Sequence, residues 1–135
     1  MRASRISPWL LAAAPAVATL AIGIAAAGPW RGDGDRSASG MLILAGFLLW
    51  AISPYAGIAG VLRLAGGRRA WALRIASLGA LAIASAGLWM LYSALFESGD
   101  AQAGLAVLAV PAWQWPAVAL LALACVLLPR KDKTP

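Results

Sequence analysis

The residues best equipped for chemistry lie in one stretch, Glu97 to Trp115, with the sequence ESGDAQAGLAVLAVPAWQW. Two carboxylates (Glu97, Asp100), two carboxamides (Gln102, Gln114) and two indoles (Trp113, Trp115) gather beside Pro111, which interrupts backbone hydrogen bonding. A pair of carboxylates can in principle supply a general acid and a general base. A complete reaction centre also needs a nucleophile with its base, a metal-ligand set or a phosphate-binding loop, and none accompanies these residues. The chain has no histidine and no asparagine, so imidazole ligation of haem or zinc and the usual histidine base are excluded. The expectation is a non-enzyme with no cofactor and no metal site. Its candidate outer-face site comprises Glu97, Asp100, Gln102, Pro111, Trp113, Gln114 and Trp115.

A second group of polar residues has a different character. Between Arg63 and Arg74 the chain carries four arginines (Arg63, Arg68, Arg69, Arg74) and no acid, flanked by long apolar runs. An arginine at the centre of a bilayer-spanning helix costs roughly 2.5 to 3.5 kcal/mol on insertion scales, so this segment is expected in water or at the headgroups. There the four side chains are candidate contacts for anionic lipid. Other polar features carry less. Arg31-Gly32-Asp33 matches an adhesion tripeptide, and Asp33-Gly34-Asp35 matches the start of a calcium loop whose terminal glutamate is missing. Both read as parts of a solvated loop. Cys125 is the only cysteine, which excludes an intrachain disulfide or a dithiol pair, and it reads as a small core residue.

The elements that must hold these groups follow from composition. Hydrophobic residues make up 62% of the 135-residue chain and charged ones 12%, with a mean hydropathy of +0.81. Ordinary soluble domains stay near about 45 to 50% apolar, so the excess is expected to face lipid. The net charge of +6 raises nucleic acid as a partner. The basic residues instead flank apolar runs and do not interleave with aromatics on one polar face, so no nucleic-acid partner is expected.

Four uncharged runs set the expected spans at about residues 9–27, 41–62, 75–96 and 107–128, giving an all-α membrane protein of four transmembrane helices in a single domain over residues 1–135. The first run also fits a signal peptide ending in Ala25-Ala26-Ala27, but its length and Pro15 favour a retained span. In the second, Pro54 frees the carbonyl of Trp50, for which Ser53, a neighbouring helix or a water is the expected donor. The indole N–H of Trp50 likewise needs a partner within the bundle. Ala56 and Gly60 permit close helix approach there, as do Ala76, Ala80, Ala84 and Gly87 in the third run. Trp89, Tyr92 and Phe96 are expected near the outer headgroups. For Ala101 to Leu128 two layouts compete. One is a single helix from about Val107 containing Pro111 and Pro116; the other is a short re-entrant segment over 101–111 followed by a helix from Pro116, and length favours the first.

Lysines and arginines orient the spans. Nine fall on one side (Arg2, Arg5, Arg63, Arg68, Arg69, Arg74, Arg130, Lys131, Lys133) and two on the other (Arg31, Arg36), so both termini are expected in the cytoplasm.

The string Asp100-Ala-Gln102-Ala-Gly-Leu followed by Pro111-Ala-Trp-Gln114 resembles a segment of small uncharacterised bacterial inner-membrane proteins with three or four helices. It spans about 15 residues, and the resemblance implies a bacterial inner-membrane location without an activity. Small multidrug transporters are similar in size but carry a glutamate within the first helix, which Trp9 to Ala27 lacks. Fluoride channels use a helix-embedded asparagine and the thiol-oxidising quinone reductases use cysteine pairs, both absent here.

Three functions stay open. The first is a structural or accessory protein that packs against a membrane partner or itself as a homo-oligomer. The second is a transporter or channel protomer with a path along Ser53, Tyr55, Ser77, Ser85, Tyr92 and Ser93, and the third is a lipid-interacting protein. No acid or base lies within a predicted span, as proton-coupled transport usually requires, so the accessory reading leads.

Overall fold

The structure is a computed structural model that describes residues 8–27, 38–68, 70–97 and 105–128. Nearly all of them are helical: α1 (Pro8–Ala27), α2 (Ala38–Gly66), α3 (Ala70–Tyr92) and α4 (Ala106–Leu127), with α3 running on through a π-helical turn, Ser93–Glu97. All 4 are long and apolar enough to cross a membrane, which suggests a multi-pass membrane protein.

The helices exceed the expected spans mainly at the basic end. The segment from Arg63 to Arg74 is helical at both ends: α2 carries on through Arg63 to Gly66 and α3 begins at Ala70, with Arg63 and Arg74 exposed. Charge limits how deep a segment can sit in hydrocarbon, but it does not stop a helix. What stops this one is the poor helix-forming pair Gly66-Gly67, and the turn closes with the Arg68 amide donating to the Ala65 carbonyl at 3.0 Å. At 29 residues α2 measures about 43 Å by helical rise, well beyond a hydrocarbon core of about 30 Å. For Ala101 to Leu128 the single-helix layout is found, with Pro111 and Pro116 both inside α4.

Residue pairs fix how the helices run. Trp9 meets Arg63, Thr19 meets Tyr55 and Gly23 faces Leu48, so α1 and α2 are antiparallel. Gly79 faces Leu121 and Ile83 meets Gln114, so α3 and α4 are antiparallel as well. Trp50 meets Leu108, Ser53 meets Trp115 and Arg68 meets Val126, which makes α2 and α4 parallel neighbours. Both α1 and α4 pack on α2 and α3, and α2 also touches α3. The centre holds Ile58, Leu62 and Ala65 of α2, Ala76, Ala80 and Ala84 of α3, and Val118 and Cys125 of α4.

The small-residue stripe of α3 is thus spent inside the bundle: Ala72, Ala76, Ala80, Ala84 and Gly87 are all buried. Large apolar side chains point outward instead, among them Leu42, Leu49, Leu78, Trp89, Leu120 and Leu127. In lipid such residues gain nothing by burial, so cohesion rests on close packing and on hydrogen bonds between helices.

Candidate functional site

Among the described glycines, Gly87 has the least room for a side chain. A Cβ placed there would stand 1.9 Å from the Gln114 side-chain nitrogen, so the absent side chain is what admits the carboxamide of α4. Gln114 is 1% exposed and donates through Nε2 to the main-chain carbonyl of Ile83 at 3.3 Å. Close by, the hydroxyls of Thr19 and Tyr55 bond at 2.8 Å, and these residues are 2% and 3% exposed. The two polar groups line one cavity of about 10 Å³, together with Ala51, Leu91, Val110 and Pro111. All four helices contribute to it. Three polar side chains bearing two hydroxyls and a carboxamide can bind and orient a small polar molecule.

A second polar cluster lies between α2 and α4. Pro54 removes the amide that would bond the Trp50 carbonyl, and Ser53 Oγ donates to that carbonyl at 2.8 Å. Ser53 Oγ in turn accepts from the Trp115 indole at 3.1 Å, while the Trp50 indole donates to the Leu108 carbonyl at 3.2 Å. The partners expected for both Trp50 groups are therefore present, one within α2 and the other on α4. Three interhelical or proline-compensating bonds in one patch hold α2 and α4 in register.

The residues proposed for an outer-face site do not share one face. Gln114 and Pro111 line the cavity, Trp115 reaches α2, and Trp113 is half-buried with its indole nitrogen enclosed and without a partner among the described residues. Successive residues on a helix lie about 100° apart, so Trp113, Gln114 and Trp115 must diverge once α4 is continuous. Glu97 is exposed on the π-helical turn, near the stacked rings of Tyr92 and Phe96, whose centroids are 5.3 Å apart. Asp100 and Gln102 lie outside the described residues.

The arginines also divide. The Arg63 guanidinium sits over the Trp9 ring, 4.0 Å from its centroid. Arg68 Nη1 donates to the carbonyls of Val126, at 3.0 Å, and of Leu128, closing the end of α4. Arg74 is exposed, and Arg69 lies outside the described residues. Of the path residues considered for transport, Tyr55 alone lines the cavity; Ser85 and Tyr92 are exposed, Ser53 belongs to the tryptophan cluster, and Ser93 bonds the Met90 carbonyl.

Sequence reasoning missed Thr19 and the slot at Gly87. Thr19 did leave a trace, being the only side-chain hydroxyl in α1. Nothing in the sequence pairs Gly87 with Gln114, because that contact depends on the register between two helices. No protein-family model, curated protein or solved structure matches the chain.

Proposed function

We propose that the chain is an accessory protein of the bacterial inner membrane, which packs through the outward face of α2 against a transmembrane helix of a partner or of a second copy. The observation that carries this reading is Gly60, where an added Cβ would meet nothing within 4 Å. Ala56, one turn earlier, is exposed, and Gly46 on the same face is also in open space. A helical glycine costs about 0.5 to 1 kcal/mol relative to alanine, a cost usually offset by close packing. For Gly60 and Gly46 no offset exists within the described bundle, so the surface suits a helix from outside it. The rest of this face, Leu42, Leu49 and Leu64, is exposed and apolar and would flank such a helix.

The test is association in mild detergent or vesicles. Gly60→Leu should weaken co-purification or self-association about tenfold, equivalent to about 1.4 kcal/mol, and leave thermal stability unchanged or slightly raised. Undiminished association would remove the α2 face from the proposal. Solute flux through vesicles containing this chain alone would instead favour a transporter.

The same reading places both termini in the cytoplasm, supported by the nine basic residues at one end against two in the first connection. A periplasm-active reporter fused after Leu64 or after Lys133 should be silent. Strong activity at either position would reverse the threading.

A further inference from the structure

We propose that the cavity between Thr19, Tyr55 and Gln114 is a binding site for a single water molecule, held among the spans by groups from three helices. Its volume, about 10 Å³, lies at the lower end of the roughly 10 to 15 Å³ that one water requires. A water at such a site needs two to four polar partners, and the lining supplies two hydroxyls and a carboxamide. A purely apolar cavity of this size would stay dry. This one carries three polar side chains.

Hydrogen-bond capacity leads to the same ligand. The hydroxyls of Thr19 and Tyr55 carry two protons, and the bond between them uses one. Gln114 carries two amide protons and an oxygen, and its bond to the Ile83 carbonyl uses one proton. A water between them takes the remaining hydroxyl proton and donates to the carboxamide oxygen, which ties the Thr19–Tyr55 pair of α1 and α2 to α4 in addition to the direct Trp115–Ser53 bond. A metal cation fits poorly, since it requires more oxygen ligands and the lining has no carboxylate. Gly87 and Ala51 keep the space open: one admits the Gln114 side chain, and the other is a small buried wall.

The experiment is solid-state NMR on the full chain in vesicles with deuterated acyl chains, following magnetisation transfer from water to the assigned side-chain amide of Gln114. The wild type should show transfer even though the carboxamide is buried. Ala51→Val fills the cavity without removing a polar group, and Tyr55→Phe removes one hydroxyl with little change of shape; each should abolish or sharply reduce the transfer. Main-chain amide shifts of α3 and α4 report whether each variant keeps its fold. Absence of transfer in the wild type would overturn the proposal, as would transfer undiminished in a folded Ala51→Val.

Discussion

Gly87→Ala is expected to destabilise the bundle by about 2 to 5 kcal/mol, the sum of overpacking and of the lost Gln114 bond. On an exposed helix face the same change stabilises, because alanine is the better helix former. Here the sign reverses. The new methyl would occupy space held by the Gln114 carboxamide, 1.9 Å from its nitrogen, and that group is buried with Ile83 as its acceptor. To yield, Gln114 must abandon the Ile83 carbonyl and turn toward a cavity too small for it. Reversible unfolding in bicelles measures the effect. A double-mutant cycle identifies its cause: adding Gln114→Ala should recover part of the loss, with a coupling energy of about 0.5 to 3 kcal/mol. Gly60→Ala serves as the control, since that site is open, and it should be neutral or mildly stabilising. If Gly87→Ala behaves like Gly60→Ala, the close approach of α3 and α4 at this point is wrong.

Arg68→Gln should cost about 1.5 to 3 kcal/mol, the usual worth of hydrogen bonds to a charged group. Its Nη1 serves the carbonyls of Val126 and Leu128, at the end of a helix whose last carbonyls have no intrahelical partners. The positive charge also opposes the negative end of the α4 dipole. Hydrogen exchange of the amides near Val126 should speed up, and the unfolding midpoint should fall. Arg74→Gln should change neither, because Arg74 is exposed. Binding to anionic vesicles should follow the reverse order, with Arg74 contributing and Arg68 contributing little. An Arg68→Gln protein of unaltered stability would return this residue to the headgroups.

The two experiments address a distinction that charge patterning does not make. By sequence the four arginines form one cationic segment; in the fold, Arg63 stacks on Trp9 and Arg68 closes α4, while Arg74 faces outward. A guanidinium that must leave hydrocarbon has several places to go, and which one it takes depends on what the neighbouring helices present.

The sequence by itself determined the four long apolar helices, because the length and polarity of an uncharged run are local properties. It also determined that the carbonyl freed by Pro54 needs a donor and that the Trp50 indole needs an acceptor, since both follow from covalent structure. Ser53 supplies the first within one turn. The tertiary structure alone decided that Gln114 enters the Gly87 slot, that Thr19 and Tyr55 face it across a cavity, and that Trp113 and Trp115 diverge. Those outcomes depend on rotation and register between helices. In a chain so uniformly apolar, nearly every helix face is greasy enough to face lipid or a neighbour. Hydrophobic periodicity therefore selects no face, and the choice falls to the shape of small residues and to the few polar groups that must find one another.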